Sequence, residues 1–247
     1  MIKLDRAPKP DFLTDEKVDE LVDEFKKNST SVWNNESIKE PLLNSSYGKC
    51  SYCECDLTEE SKYMEVEHFE DKKHNPDKVV LWENLLPSCK KCNGAKSTHD
   101  VIAHPILNPY IQDPKEHLSI RFFRMRGLTE IGRESIDVVG LNNQERLVLK
   151  RFEIGSQIAD SIEIAWERHA TYRSNGRTQS KNRLISLVEG ILLECHPKAI
   201  YAATTATVVL TDTKFSELIE VMRAEETWNE DLEELYKNAQ SLVLQCA

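Results

Sequence analysis

The chain has 247 residues, 40% of them apolar, with seven cysteines and a formal net charge of -10. That length suits one large domain or two modest ones with buried cores, and no apolar run approaches the roughly 20 residues that span a bilayer. The charged, proline-broken start MIKLDRAPKPDF is unlike a secretory signal, so a soluble cytoplasmic protein without membrane contact is expected, and its acidic balance argues against a simple nucleic-acid-coating polycation.

Charge is unevenly spread. Residues 1–46 and 47–100 each carry -3, residues 101–183 carry +3, and residues 184–247 carry -7, with 4 basic against 11 acidic side chains. An acidic helical face is ordinarily solvated surface, and it also suits docking to a basic partner.

In chain order, TDEKVDELVDEFKKN (14–28) sets Val18, Leu21, Val22 and Phe25 on one helical face behind a Thr14 cap. A short second helix is expected through Ile38–Leu43, which makes 1–46 a helical arm. Residues 47–141 read as an α+β unit. KYMEVEHFE (62–70) alternates like a strand, LWENLLPSC (81–89) offers a second strand, and CKKCNGAKS opens a helix with Asn93 in its first turn. HPILNPYIQDPKEHL (104–118) contains three prolines and must be irregular. LSIRFFRMRG and ESIDVVGL then read as two short strands, a β extension of the unit. From Asn142 the pattern is helical to 247: Asn142 and Glu145 form a capping signature, and Leu147, Ile154, Ile158, Ile162, Ala165 and His169 recur at helical spacing. Asn175-Gly176 breaks that helix, and Leu184, Leu187, Val188, Ile191 and Leu192 begin the next.

Five of the seven cysteines fall between residues 50 and 92. Such clustering in a chain expected to stay reduced points to metal. Cys50-x-x-Cys53 and Cys89-x-x-Cys92 supply the four thiolates of a closed, tetrahedral, structural zinc site. Cys55 reads as a reduced packing residue, and Cys195 and Cys246 as core or surface thiols. Between the pairs lie Glu67, a hard oxygen ligand suited to Mg²⁺ or Mn²⁺, and His68, with the Asn93 carbonyl on the following helix. A strand, loop, strand and helix carrying these groups is a single-metal nuclease arrangement. Strict alternation sends Glu67 and His68 to opposite faces, so local twist must bring both to one site.

Residues 50–96, with Cys-x-x-Cys, an acid-His pair, Asn-Leu and Cys-x-x-Cys-Asn-x-x-Lys, resemble an HNH endonuclease. HPILNPYIQDPKEHLSI and VVGLNNQERLVLKR are similar to the extension of HNH proteins encoded with some retrons or forming the nuclease subunit of Septu anti-phage systems. The resemblance implies a ββα-metal core with a four-Cys zinc site, followed by a mainly α-helical region. It implies His68 as general base, Glu67 and Asn93 as ligands of a catalytic Mg²⁺ or Mn²⁺, and Asn84 as a residue orienting the loop or His68. Many members carry Asp or His before the base and a proline soon after; here the acid is Glu67 and the next proline is Pro76. The implied substrate is nucleic acid, DNA favoured and RNA possible. The implied partner is an ABC/SMC-like, PtuA-like ATPase, for which the acidic residues 198–247 are the expected docking element.

Other residues read more blandly. Glu65 and Glu70 read as solvated. Lys96 reads as a phosphate contact or a surface lysine. His74 reads as a loop residue within reach of substrate, and His99 as an outer residue of the metal shell. Arg173, Arg177, Lys181 and Arg183, with no acid in 171–183, read as a solvated loop or a phosphate patch. A non-catalytic zinc module that binds a partner through its helical tail is the competing reading.

Overall fold

A computed structural model of the chain describes residues 1–58 and 64–246. It is a mixed α+β protein of two compact units, one formed by Met1–Leu118 with Met125–Asn142, the other by Ser119–Arg124 with Asn143–Ala247.

In the first unit, α1 (Asp15–Asn28) begins at Thr14, whose hydroxyl accepts a hydrogen bond from the Lys17 amide. Acidic residues in its first turn and lysines in its last complement the helix dipole. With α2 (Glu36–Ser45) it delivers Leu21, Val22, Ile38 and Leu42 into a core shared with Val66, Val79, Val80, Trp82 and Leu85. Residues 1–46 are therefore one wall of the cysteine-rich unit's core and not an arm standing clear of it. Strands β1 (Met64–His68) and β2 (Leu85–Cys89) pair antiparallel from Met64↔Cys89 to His68↔Leu85. Lys62 and Tyr63, included in the expected first strand, lie outside the described residues. The second strand starts late because Trp82–Asn84 forms a single 3-10 turn. α3 (Lys90–Lys96) follows β2 without a gap.

The expected two-strand extension is different in the structure. LSIRFFRMRG alone holds two strands, β3 (Leu118–Arg121) and β4 (Arg124–Gly127), separated by Phe122 and Phe123, both with positive φ. ESIDVVGL is not a strand: it lies largely in helix α4 (Glu130–Val138). Thr129 caps that helix by accepting from the Gly132 amide, and Gly132, Ser135, Ile136 and Val139 are buried at helical spacing. Cap and periodicity together override the β-branched composition. Gly132 also needs its hydrogen side chain, since a Cβ there would lie 2.1 Å from the His117 carbonyl oxygen.

The second unit is helical. α5 (Leu149–Asn175) ends at Gly176 in the left-handed conformation, as Asn175-Gly176 predicts. Its Ile158, Ile162 and Ala165 pack against Leu184, Val188, Ile191 and Leu192 of α6 (Thr178–Leu193). The same core takes Ala206 and Val209 of α7 (Ala202–Thr211) and Phe215, Leu218, Ile219 and Met222 of α8 (Thr213–Ala224). Leu232 and Ala239 of α9 (Glu230–Leu242) complete it. Helices α7, α8 and α9 are thus part of this core, not a detachable tail. A two-residue strand β5 (Gln245–Cys246) pairs parallel with Ser119–Ile120. The cap before α5 is shifted by one residue: Asn143, not Asn142, accepts from the Arg146 amide and starts the turn Gln144–Val148. Asn142 instead clamps both backbone groups of Met125 at 2.8 Å. Among the described residues, no helix is long and apolar enough to cross a membrane.

Candidate active site and metal centre

The four cysteines of the two Cys-x-x-Cys pairs come together. Their sulfurs all lie within 4.8 Å of one another, and Cys53 Sγ and Cys89 Sγ are 3.8 Å apart. A tetrahedron with Zn–S bonds of about 2.3 Å has sulfur–sulfur edges of about 3.8 Å, so the cluster is compatible with zinc. The local chain is built to hold it. Ser51 N donates to the Pro87 carbonyl, tying the Cys50 turn to β2. Cys89 Sγ accepts from Cys92 N at 3.4 Å and caps α3. Cys55 is buried beside the cluster but is not one of its four members. The Cys50 and Cys53 thiols beside it push the Cys55 pKa up.

β1 and α3 converge on a cleft of about 110 Å³ lined by Glu67, His68, Asp71, Lys72, Lys73 and Asn93. His68 is the last residue of β1, and both it and Glu67 reach the cleft despite the alternation of the strand. His68 Nε2 lies 2.9 Å from the Val79 carbonyl oxygen. A carbonyl oxygen only accepts, so Nε2 carries the proton and the neutral ring keeps its lone pair on Nδ1. Trp33 packs edge-on against the same imidazole at 4.6 Å between ring centres. Burial, reinforced by the Lys72 charge, pulls the His68 pKa down to about 4.

Glu67 is 1% exposed. Burial pushes its pKa up to about 7, against the opposing charge of Lys96. Lys96 Nζ sits 2.7 Å from Glu67 Oε1, yet that oxygen has no aligned hydrogen bond. A carboxylate with one ammonium beside it retains further lone pairs, a donor set that fits a divalent cation. Lys96 is neither a surface lysine nor turned outward: it is buried and also donates to the His68 carbonyl at 2.8 Å, locking α3 onto β1. Asn93 Nδ2 donates to Glu65 Oε2 at 2.7 Å, which leaves the Asn93 carbonyl oxygen as the ligand-type atom. Glu65 is accordingly half-buried and engaged, not solvated. Glu70 is engaged too, through Lys78 Nζ at 2.5 Å.

Asn84 lies behind the cleft. Its carboxamide accepts from the Glu70 amide at 2.7 Å and donates to the carbonyls of Glu70 and Lys78 at 3.0 and 3.1 Å. It closes the base of the 70–78 loop through backbone groups and makes no hydrogen bond to His68. Asp71 orders the loop from within, accepting from the Lys73 and His74 amides and facing His74 Nδ1 at 2.8 Å. Burial works against that carboxylate, but His74 and the loop amides outweigh it and keep its pKa below the ordinary value.

Trp33, Asp71, Lys72 and Lys73 were not among the expected site residues. The Lys72-Lys73 pair directly after the acid-His strand was a readable signal, whereas nothing in the sequence joins Trp33 to His68. His99 is apart from the four-sulfur cluster and donates through Nε2 to the His104 carbonyl. The basic run in the helical unit is partly neutralised: Arg173 Nη1 meets Glu225 Oε1 at 2.5 Å, His169 meets the same carboxylate, and Lys181 Nζ reaches the Glu226 carbonyl.

No protein-family model matches the chain, and no solved structure does. Two relatives do match. The chain is 40% identical over 246 residues to a Septu protein PtuB of Bacillus thuringiensis, covering 99% of this chain and 95% of the relative. It is 30% identical over 166 residues to a Septu protein PtuB of Bacillus mycoides strain KBAB4, covering 51% and 54% respectively. With 40% identity running through nearly the whole of both chains, this protein belongs to the Septu PtuB family.

Proposed function

We propose that the chain is the nuclease of a Septu anti-phage system: a metal-dependent HNH endonuclease that hydrolyses phosphodiester bonds, with DNA the favoured substrate. The observation that carries this reading is one cleft lined by Glu67, His68 and Asn93, with His68 Nε2 tied to Val79 so that Nδ1 is the basic atom. At neutral pH His68 is unprotonated and able to take the proton of an attacking water. The water oxygen forms its bond to phosphorus as the bond to the leaving oxygen breaks, and solvent supplies that oxygen's proton. Glu67 and Asn93 would hold a divalent cation, which would supply charge neutralisation at the phosphate. Lys96 fixes the distance between strand and helix, and a zinc held by the four cysteines would fix the start of the helix that carries Asn93.

The non-catalytic reading draws on the Glu67–Lys96 contact, which already neutralises the carboxylate. Incubation with plasmid DNA and with tRNA separates the readings. Cleavage that requires added Mg²⁺ or Mn²⁺ supports the nuclease, and intact substrates in every combination of cation and partner contradict it. The partner in this assay is an ABC/SMC-like, PtuA-type ATPase, which the nuclease reading takes as an added source of nucleic-acid affinity beyond the chain's own weaker binding.

A further inference from the structure

The catalytic cleft does not end at Lys72 and Lys73. The same two lysines border a wider groove of about 700 Å³, whose other side is formed by Phe25, Lys26 and Trp33 of the N-terminal helical segment. Trp33 stands between the two cavities. Its ring meets His68 edge-on at 4.6 Å on one side and Phe25 at 5.7 Å on another. Lys72 Nζ lies 5.0 Å from its centre. Lys72 and Lys73 are exposed, and among the described residues no carboxylate forms an ion pair with either. Lys26, by contrast, is paired with Asp77.

We propose that this groove is a nucleotide subsite, in which one unpaired base of the substrate strand stacks on Trp33 while Lys72 and Lys73 hold the adjoining phosphates. The inference rests on the nuclease reading for its substrate class. An aromatic face beside two lysines that no carboxylate pairs among the described residues, and that also line the cleft at His68, matches a nucleic-acid strand in charge and shape. Base–aromatic stacking tolerates any sequence because every base has a π-face. In the free protein Lys72 rests over the ring as a cation–π partner, an exposed contact weaker than base stacking. A base taking that position releases Lys72 to a phosphate. A base still paired in a duplex cannot lie flat on Trp33, so the subsite favours single-stranded or locally opened substrate.

Equilibrium binding tests this without catalysis. The full chain, with no added Mg²⁺ or Mn²⁺, is titrated against a labelled oligothymidylate and an abasic strand of equal length and charge, followed by fluorescence anisotropy. The wild type should bind oligothymidylate about 10-fold more tightly. Trp33→Leu should remove that preference, and Trp33→Phe should retain most of it. Lys72→Gln with Lys73→Gln should weaken both strands and flatten the salt dependence. Equal affinity of the wild type for the two strands, failure to bind either, or a preference that survives Trp33→Leu overturns the subsite. Cleavage that survives His68→Ala overturns the catalytic reading instead and leaves the binding comparison standing.

Discussion

Glu67 and His68 are neighbours that burial drives in opposite directions. The Glu67 pKa is raised to about 7, so the stability that its protonated form contributes is full below the ordinary carboxylate value and lost as pH rises through about 7. The His68 pKa is lowered to about 4, so its contribution is full above about pH 6.5 and lost as pH falls through about 4. A divalent cation needs the Glu67 carboxylate ionised. Added Mn²⁺ should therefore raise the melting temperature more at pH 8 than at pH 5.5, and Glu67→Gln should erase the difference; an equal rise at both pH values in the wild type would contradict Glu67 as a ligand. Asn93→Ala should lose activity that excess Mn²⁺ partly restores, because the change weakens a ligand and spares the base. Unimpaired turnover of Asn93→Ala at limiting Mn²⁺ would remove it from the site.

At the scale of elements, a zinc ion in the four-cysteine cluster would tie the Cys50 turn to β2 and α3. Cys50→Ser or Cys89→Ser should abolish tight zinc binding, expected at about one ion per chain, and unfold the first unit. Structural zinc contributes about 10–16 kcal/mol, which equals or exceeds the usual net stability of a domain, about 5–15 kcal/mol. A zinc-free chain that keeps a cooperative melt would refute this. Gly132→Ala should destabilise by about 1–3 kcal/mol, because a backbone oxygen cannot yield as a side chain does. The sequence made the metal pairs, the existence of β1 and the α3 turn readable because each depends on local spacing. It hid what depends on contacts between distant segments. Lys96 looked exposed on a short polar helix, and only the packing of α3 on β1 buries it. Glu65 looked solvated until Asn93 met it across 28 residues. The misread α4 is a different failure: Ile-Asp-Val-Val carries strand composition, and the Thr129 cap that decides for helix lies just outside the motif.

At the scale of the whole molecule, the acidic C-terminal quarter needs a different experiment from truncation. Removing residues 198–247 would strip α7, α8 and α9 from the helical core and should unfold that unit. Charge reversal at Glu230, Asp231 and Glu234, all exposed on α9, leaves the core untouched. If α9 docks a basic face of the ATPase, the triple lysine variant should stay folded and keep its zinc, with a melt lowered only by the lost dipole complement in the first turn of α9, but lose co-purification with the ATPase, most visibly at low salt. Undiminished association would move the docking surface elsewhere. The helical content of this unit was readable from its period, but its role as a closed core was not, since net charge describes only the outward faces of helices whose inward faces make the fold.

The central claim is that His68 is the base of a cation-dependent nuclease, and its most direct test is cleavage of labelled plasmid in Mn²⁺ by the purified protein together with the proposed PtuA-type ATPase, wild type against His68→Ala. A general base contributes about 10²–10⁴-fold, so the variant should be at least about 100-fold slower while its zinc content and melting curve stay those of the wild type. A His68→Ala protein that cleaves at the wild-type rate would contradict the account.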